Sequence, residues 1–575
     1  MTDSQSGRGI SNLRPAGWIY PRARGKGRPD QETCEHDIKK FARGGVSVQA
    51  EGNLNNYYIL TLNQDNSVAV LNPSVKLATS NLLALIPLGG NAKQWLFDEQ
   101  RVYVTMPDDN RVAVVDIFSH TLEGYIKVGR GPAAIHLVPD SDYILVGNDG
   151  SGTVSAIDRS KRQMVKNIRV GSGPLAFAFD PARRLIFVVA SGEGRITVID
   201  APGLQKIRTF SIAPGDIRFA YSPLNRALYV AYRVTGELIV LFHEDGREMK
   251  TLRLSPGIQQ LKVTPDGRFL FVVSETEDSL EIIDTAVNQP VHRFKTWGRP
   301  YHVEFSRTFA YLRYKDSPNV GLIQLSALAG RKAPPFADIP MGLRGPGELA
   351  DRTGASPIAI LPQGGKALVV DPSDKVIYFY MESGMLAPSN SFKSYTAPPL
   401  GLLVYDHRLN ESATAGHYHT TTRFAEGGMY DVYFLMASPR VATCFELKVE
   451  GAPGEKKETN PQRVFLSLLK DGVFCAGDIS RVQFKLLSAK TREPATNVRN
   501  VRVLSFLQNG TWQARRWAKP IGQGLFMVEF VFPRAGKYHI LVESPELGIR
   551  FDDAGYAFAN VQHSRRQKTA PCVDG

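Results

Sequence analysis

The sequence predicts an all-β protein built mainly from one repeated unit of four strands. Two observations predict it: 51 glycines and 36 prolines among 575 residues indicate frequent turns, and one hairpin pattern recurs along the first two thirds of the chain. The composition, 43% hydrophobic and 22% charged, excludes a disordered or fibrous chain, and the length allows two or three domains. No stretch approaches the ~18 consecutive apolar residues of a membrane span.

The hairpin pattern occurs in eight copies. Each copy is a run of β-branched and aromatic residues, a turn, and a second such run. The copies that begin at Tyr143 and Leu185, 42 residues apart, read YILVGNDGSGTVSAID and LIFVVASGEGRITVID. The other copies begin at or near Tyr57, Val102, Ala227, Phe269, Tyr311 and Lys366, and the interval before the last copy is longer.

A Gly/Pro turn and a short strand lie between the hairpins, as in GRGPAAIHLVPD and WGRPYHVEFS, with a weaker first candidate at Val46. With a fourth strand such as QMVKNIRVG, each unit has four antiparallel strands in about 40–45 residues, which is typical of a propeller blade. A blade cannot bury both faces alone, so neighbouring blades stack and the ring closes. The sequence therefore predicts an eight-bladed β-propeller over residues 44–385, or seven blades if the first or last copy is incomplete.

The innermost strand of each blade lines the central channel, and its side chains alternate between two sides. We expect the apolar set to pack between blades: Ile135, Leu137, Phe177, Phe179, Leu261, Val263, Val303 and Phe305. The other set includes small residues such as Ala176, Ala178 and Ala220, and it supplies the candidate ligand-binding residues Gln94, His136, Arg218, Gln260, Lys262, His302 and Glu304.

His136 and His302 fall in blades three and seven, which face each other in a ring of eight. Arg218 and Lys262 lie on the arc between them. Two imidazoles beside two cations suit a metal with an anionic ligand, or a tetrapyrrole with carboxylates. A polar, water-filled channel without a ligand is the alternative interpretation.

The 42-residue spacing stops after about residue 385. GHYHTTTRFAEGGMYDVYFLMASP from Gly416 resembles GLFMVEFVFPRAGKYHILVESP from Gly524. This duplication predicts an immunoglobulin-like β-rich module over 386–452, complete or partial, and an immunoglobulin-like β-sandwich over 458–562. His417 and His419 point to one side of their strand, and with Met381, Met385, Met429 or Met436 they are candidates for a copper site. Exposed histidines and packing methionines are the alternative.

The net charge is +13, and both ends are locally basic. Residues 1–43 are predicted to be a basic, Gly/Pro-rich extension and residues 563–575 a basic tail, either solvated or docked on an acidic protein or membrane surface. Nucleic-acid binding is not expected, because no RNA-binding motif or DNA-reading helix is visible. No signal peptide is visible either, which favours a cytoplasmic location unless the native precursor starts differently.

Four cysteines occur, at positions 34, 444, 475 and 572, without a C-x-x-C pair. This spacing excludes a zinc knuckle and a c-type haem attachment. Cys444 and Cys475 are candidates for a disulfide, and free thiols are the alternative. No P-loop, dinucleotide-binding fingerprint, HExxH or G-x-S-x-G motif appears, so we expect a protein that is not an enzyme, or else an oxidoreductase.

The V-x-V-I-D hairpin endings and the G-x-G-P turns resemble the YVTN propeller repeat over roughly residues 45–381. GPAAIHLVPDSDYILVGNDGSGTVSAID further resembles the haem-d1 propeller of cytochrome cd1 nitrite reductase and its maturation relatives. This resemblance implies an iron ligand at His136, a haem d1-like tetrapyrrole and a periplasmic location. The cytochrome c domain of the reductase is missing, because Cys34-Glu-His is not a haem c motif.

We therefore expect a non-catalytic binding or assembly protein that holds a protein partner, in a respiratory or redox complex. The first alternative is a tetrapyrrole- or metal-binding redox protein of nitrogen-oxide metabolism or d1 maturation, with its ligand in the propeller channel. The second is copper handling through the C-terminal modules.

Overall fold

The computed structural model divides into two compact units. The first unit comprises Met1–Tyr57, Asn72–Leu82 and His407–Gly575, and the second comprises Tyr58–Leu71 and Leu83–Asp406. The residues that the structure describes are 6, 8–11, 13, 15–22, 28–43, 52–55, 57–73, 82–98, 101–117, 120–330, 332–362, 364–384, 387–394, 397–412, 414–420, 422, 424, 428–436, 438, 440–450, 464–469, 473–488, 493–494, 498, 501–507, 513–544, 551 and 557–562.

Eight four-stranded sheets follow one another in the propeller, and we number them as blades from the first strand outward. Blade one is Pro399–Asp406, Tyr57–Asn63, Ser67–Leu71 and Leu82–Pro87. Blade two is Trp95–Asp98, Arg101–Met106, Arg111–Asp116 and Thr121–Lys127. Blade three is Pro132–Leu137, Tyr143–Asn148, Thr153–Asp158 and Gln163–Arg169. Blade four is Leu175–Asp180, Leu185–Ala190, Arg195–Asp200 and Gln205–Ser211.

The remaining blades repeat this order. Blade five is Ile217–Ser222, Ala227–Tyr232, Glu237–Phe242 and Glu248–Arg253. Blade six is Ile258–Val263, Phe269–Ser274, Ser279–Asp284 and Gln289–Lys295. Blade seven is Pro300–Phe305, Phe309–Tyr314, Val320–Gln324 and Phe336–Ile339. Blade eight is Ile358–Ile360, Lys366–Asp371, Val376–Met381 and Asn390–Lys393. Short 3-10 helices lie at Pro107–Asp109, Pro181–Arg183, Leu325–Ala327 and Gly347–Asp351.

The first strands form a closed ring, because each contacts the first strand of the next blade and blade eight contacts blade one. Apolar side chains fill the space between successive blades; Phe187 and Val189 of blade four, for example, pack with Leu228 and Val230 of blade five. These side chains are inaccessible to solvent, and burying one aliphatic side chain contributes about 1.5–3 kcal/mol. The predicted all-β propeller is confirmed.

One turn residue with positive φ recurs at the same place in successive blades. The turn between the second and third strands holds a residue with positive φ in blades two to six, at Asn110, Gly152, Gly194, Gly236 and Asp278. Successive members of this set are 42 residues apart. Glycine, asparagine and aspartate are the residues that adopt this left-handed conformation at least cost.

The first strand of blade four packs between blades on both of its sides. Phe177 and Phe179 pack, as predicted, against the core between blades three and four, whereas Ala178, which was expected to face the channel, is buried in the core between blades four and five. The first strand of blade three has a β-bulge between Pro132 and Ala134, and that of blade four pairs in continuous register. Beyond the bulge the two strands pair equivalently, Ile135 with Val146 and Phe177 with Val188, so the 42-residue offset carries the alternation from blade three to blade four.

The propeller does not end near residue 385 as predicted. Pro399–Asp406 supplies the first strand of blade one and hydrogen-bonds to Tyr57–Asn63. The predicted strand at Val46 lies outside the described residues. Every blade of a closed ring needs a first strand. Blade one takes this strand from the segment that follows blade eight in the chain, and the pairing closes the ring.

The predicted N-terminal extension is part of a folded sheet. Its strands are ordered Gly52–Asn53, Ala16–Pro21, Gly428–Met436 and Val441–Val449, and helix Gln31–Arg43 packs on the last two. Arg22, one of the basic residues predicted to be solvated, pairs with Asp431 and, at 2.9 Å, with Glu446. The residues of the predicted basic tail lie outside the described part.

The predicted disulfide between Cys444 and Cys475 is wrong, because Cys444 is bonded to Cys34. Cys34 lies in helix Gln31–Arg43, which places it over the sheet beside Trp18 and Tyr433. Cys475 is disulfide-bonded as well. Sequence spacing could not have given this pairing, since four cysteines allow three connectivities.

Two further sheets enclose one hydrophobic core within the predicted sandwich. The first is Val464–Leu468, Ile479–Ser488, Leu525–Val531 and Lys519–Gly522, and the second is Val473–Cys475, Ala557–Gln562, Gly536–Glu543, Arg502–Leu507 and Gln513–Trp517. Phe484, Phe526 and Tyr538 are central to that core. Assignment to the immunoglobulin class stays a prediction. A small separate sheet pairs Asn410–Glu411 with Tyr418–His419. None of the described helices is long and apolar enough to cross a membrane.

Candidate functional site in the propeller channel

A polar cluster joins the first strands of blades six and seven. The ammonium of Lys262 lies 2.5 Å from Oε1 of Glu304. Ser356 Oγ donates to the carbonyl of Ile358 at 2.6 Å, and the same Oγ is hydrogen-bonded to Nε2 of His302 at 3.0 Å. Three of the predicted residues are therefore brought together, with a serine that sequence reasoning missed.

The charges of this cluster balance. Burial opposes ionisation of Glu304, but the His302 ring, with Nε2 3.8 Å from Oε2, and the Lys262 ammonium hold the pKa of Glu304 at about 2. Burial is the main cause that lowers the pKa of His302, so its ring is neutral at pH 7. The cluster contains one cation and one anion, and it offers no uncompensated charge to an anionic ligand.

Two other predicted polar residues, Gln260 and Arg218, join the first strands of neighbouring blades. Gln260 accepts a hydrogen bond from the Val303 amide at 2.6 Å, which ties blade six to blade seven. Arg218 donates from Nε to the Gln259 carbonyl at 2.8 Å and pairs with Asp216 at 2.6 Å. Both side chains therefore link neighbouring strands, and the Arg218 charge is already matched.

His136 lies in different surroundings from His302. Its ring is half-buried against Phe177 and Phe179, with centroids 5.1 and 5.7 Å away. Burial lowers the pKa of His136 to about 4, so the imidazole is neutral at physiological pH. The two histidines therefore do not share one polar site, although each is a neutral ring on a first strand.

The connection between blades seven and eight, residues 340–357, reaches the first strand of blade one and the segment that precedes blade two. Gly354 donates its amide to the Lys93 carbonyl at 2.8 Å, close to the side chain of Gln94. Ala355 packs on Gly401, where an added Cβ would lie 2.3 Å from the Ala355 Cβ. The long interval before the eighth hairpin was the signal for this connection in the sequence.

The predicted copper residues differ in exposure. His417 and His419 are both exposed, Met436 is buried, and Met385 lies outside the described residues. In the part of the chain that the structure describes, no three His, Cys, Asp or Glu side chains are grouped as a metal site. Copper binding stays a prediction.

The pKa values of Glu304 and His136, about 2 and about 4, lie well below 7, where a general acid or base is most effective, and burial lowers the pKa of His302 as well. The geometry of the cluster suits the joining of blades. His136 presents an uncharged imidazole beside two phenylalanine rings, which is the form of histidine that binds transition metals.

Known proteins resemble this chain in part. The dihydro-haem d1 dehydrogenase NirN in complex with DHE is 16% identical, with a TM-score of 0.49 over 64% of this chain and 78% of that one. Apo AztD from Citrobacter koseri is 14% identical, with a TM-score of 0.45 over 61% and 98%. Hydrazine synthase from Kuenenia stuttgartiensis is 19% identical, with a TM-score of 0.39 over 49% and 92%.

No curated protein matches the chain. The predicted propeller repeat is confirmed over residues 88–242, which match the model of the YNCE-like beta-propeller family.

Proposed function

We propose that this is a non-catalytic binding or assembly protein that holds a protein partner at one end of the propeller ring. The observation that carries the proposal is an exposed pair of large apolar side chains, Trp297 at 65% and Leu343 at 86% exposure. We name these two residues the apolar pair. The expected partner, a component of a respiratory or redox complex, follows from the resemblance to the haem-d1 propeller family.

Both members of the apolar pair lie at the same end of the ring. Trp297 is in the connection from blade six to blade seven, and Leu343 is in the connection from blade seven to blade eight. In a four-stranded meander these connections lie at the same end as the turns between second and third strands. Val287, between the third and fourth strands of blade six, is therefore at the opposite end.

Neighbouring loops hold the apolar pair in place. Asp316 donates its amide to the Gly298 carbonyl at 3.0 Å, which fixes the turn that follows Trp297. The Leu343 amide donates to Oδ2 of Asp374 at 3.0 Å. Arg299 and Glu348, 3.2 Å apart, join the two connections. The pair is thus presented on supported loops, which reduces the entropy lost when a partner binds.

An exposed tryptophan beside charged groups is typical of an interface anchor. Tryptophan and arginine are enriched among the residues that dominate binding energy, and truncating such an anchor costs 2 kcal/mol or more, about thirtyfold in affinity.

Site-specific photo-crosslinking in the native cells tests this proposal. A benzophenone amino acid replaces Trp297 or Leu343, and the matched control replaces Val287, which is 60% exposed at the opposite end. We expect the same protein to be crosslinked from positions 297 and 343 and not from 287. Absence of an adduct at 297 and 343, or the same adducts from all three positions, would refute the proposal that a partner binds at this end of the ring.

The disulfides support an oxidising compartment, which agrees with the periplasmic location implied by the resemblance. Both Cys34–Cys444 and the bonded state of Cys475 require conditions in which disulfides persist. Alkylation of free thiols in whole cells, followed by mass spectrometry, tests it. If Cys34 and Cys444 are found alkylated, both are free thiols in the cell, and the mature protein would lie in a reducing compartment instead.

A second candidate function is tetrapyrrole binding at His136, favoured by its neutral ring and its two phenylalanine neighbours. The residues fit this group in part: His136 would supply an imidazole ligand, whereas Lys262 and Arg218 already pair with Glu304 and Asp216. A bound tetrapyrrole would supply redox chemistry at its iron.

Haem titration followed by absorption spectroscopy separates this candidate from the first. The wild-type protein should give a saturable change in the haem spectrum that His136→Ala loses, with His302→Ala as the matched histidine control. A wild-type protein that leaves the haem spectrum unchanged would eliminate the candidate.

A further inference from the structure

An open cleft of about 290 Å³ lies in the propeller, apart from the Lys262 cluster and the apolar pair. Its walls come from blade one, from blade two with the connection that precedes it, and from the 340–357 connection. The lining residues are Asn63, Gln64, Asn66, Asn91, Ala92, Lys93, Pro107, Asp108, Arg352, Thr353 and Leu400.

The amide side chains of this cleft are held in fixed orientations. Asn66, with φ 57°, accepts from the Ala92 amide at 3.1 Å and donates to Asn91 at 3.1 Å. Asn91 in turn donates to Asp108 at 2.7 Å. Asn63 is buried and donates to Ser67 at 3.1 Å. The cleft therefore has a preformed polar wall, which lowers the entropy lost on ligand binding.

Two cations face the same space. Neither Lys93 nor Arg352 forms an ion pair with any carboxylate in the described part of the chain. Asp149 is the acid that acts on Lys93, and burial raises the pKa of Asp149 to about 6, against the opposing charge of Lys93. Asp108, the carboxylate in the lining, already accepts from Asn91. Among the residues that line the cleft, two cations thus stand against one carboxylate.

The backbone places both cations. Arg352 follows the short helix Gly347–Asp351, which Lys315 anchors through Asp351 at 2.6 Å. The carbonyl of Lys93 accepts from the Gly354 amide, so the two cation-bearing segments are hydrogen-bonded to each other. This bond links two walls of the cleft.

We propose that this cleft binds a small ligand that carries a carboxylate or phosphate group together with hydroxyl groups. Lysine and arginine form charge-assisted hydrogen bonds to such anions. Asparagine and glutamine both donate and accept, which matches the hydroxyls of a sugar-like body. The volume is at the lower end of the range for small-molecule pockets, which favours a ligand of monosaccharide size. This binding does not depend on a protein docked at the apolar pair.

Isothermal titration calorimetry of the full chain tests this site with four probes: glucose 6-phosphate, glucuronate, glucose and inorganic phosphate. We expect at least one of the two charged sugars to bind at least about tenfold more tightly than glucose and than inorganic phosphate, and to bind more weakly as salt rises. The two charged sugars distinguish a phosphate group from a carboxylate.

Variants connect the binding to the cleft. Arg352→Gln and Lys93→Gln should each lower the affinity for the charged sugar that binds more tightly, by on the order of tenfold, because each removes one charge-assisted hydrogen bond. Arg344→Gln is the matched control, an exposed arginine of the same connection outside the cleft. Circular dichroism checks that each variant is folded.

Three results would overturn the proposal. The first is that no charged sugar binds the folded wild-type protein. The second is that glucose or inorganic phosphate binds as tightly as the charged sugars. The third is that Arg344→Gln weakens binding as much as Arg352→Gln does.

Discussion

Removal of the buried arginine between blades seven and eight should destabilise the propeller strongly. Arg313 and Asp371 are both inaccessible to solvent, with Nη2 3.9 Å from Oδ2. Nη1 of Arg313 also donates to the carbonyls of Pro318 at 3.0 Å and Asn319 at 2.8 Å. Arg313→Met keeps much of the side-chain volume but leaves a buried carboxylate and two carbonyls without their cation.

The structure sets the size of the effect. Breaking a buried ion pair from one side costs about 3–5 kcal/mol. The 3.9 Å separation is too long for a direct hydrogen bond, so we expect the lower end, about 3 kcal/mol. Burial raises the pKa of Asp371 and the Arg313 charge opposes that shift, so the variant should raise this pKa further. A carboxyl whose pKa is higher in the folded than in the unfolded protein destabilises the fold when it is ionised, and this cost disappears when it is protonated. The stability lost in the variant should therefore shrink as the pH falls from 8 to 5.

Urea unfolding of the full chain at pH 8 and pH 5 measures both effects through the denaturation midpoint. The double variant Arg313→Met with Asp371→Leu removes the uncompensated charge and should recover at least half of the loss. A deficit below about 1 kcal/mol, or one that is the same at both pH values, would refute the assignment of an uncompensated carboxylate.

Three shorter predictions concern other contacts. Glu304→Gln should lower the unfolding free energy by about 1–3 kcal/mol at pH 7. In urea titrations this loss should disappear as the pH falls from about 4.5 towards 2, because the wild-type carboxylate becomes protonated there. A loss that is the same at every pH would contradict the pKa argument. Cys34→Ser should cost about 2–5 kcal/mol and speed proteolysis of helix Gln31–Arg43, and unchanged proteolysis would count against it. Gly401→Ala should cost about 1–3 kcal/mol in thermal unfolding because its Cβ would overlap that of Ala355, whereas Gly428→Ala, with open space around it, should be neutral.

The sequence predicted the blades well because the repeat is a local signal. The hairpins depend on strand propensity and on a turn residue that tolerates positive φ, and both recur along the chain. The closing strand Pro399–Asp406 carries no copy of the hairpin, so its place in blade one follows only from the topology of the ring. The disulfide to Cys34 likewise depends on where helix Gln31–Arg43 packs.

The candidate site was predicted in part for a related reason. Lys262, His302 and Glu304 were placed on the correct side of their strands because they alternate with Leu261, Val303 and Phe305, which are buried between blades. Ser356 and the cleft residue Arg352 belong to the 340–357 connection, which has no counterpart in the other blades. A sequence repeat predicts the features that all copies share, whereas Ser356 and Arg352 lie in a segment that only one copy contains.

The use of Pro399–Asp406 to finish blade one has a consequence for biosynthesis. The second, third and fourth strands of that blade leave the ribosome early, whereas the strand that covers Tyr57–Asn63 is made only after seven other blades. Until then the nascent chain exposes an unpaired strand edge, which is a template for aggregation. The same delay applies to Cys34, whose partner Cys444 is synthesised 410 residues later. An interrupted translation product would therefore lack both of these long-range closures at once, and its open edge would mark it for chaperones or proteases.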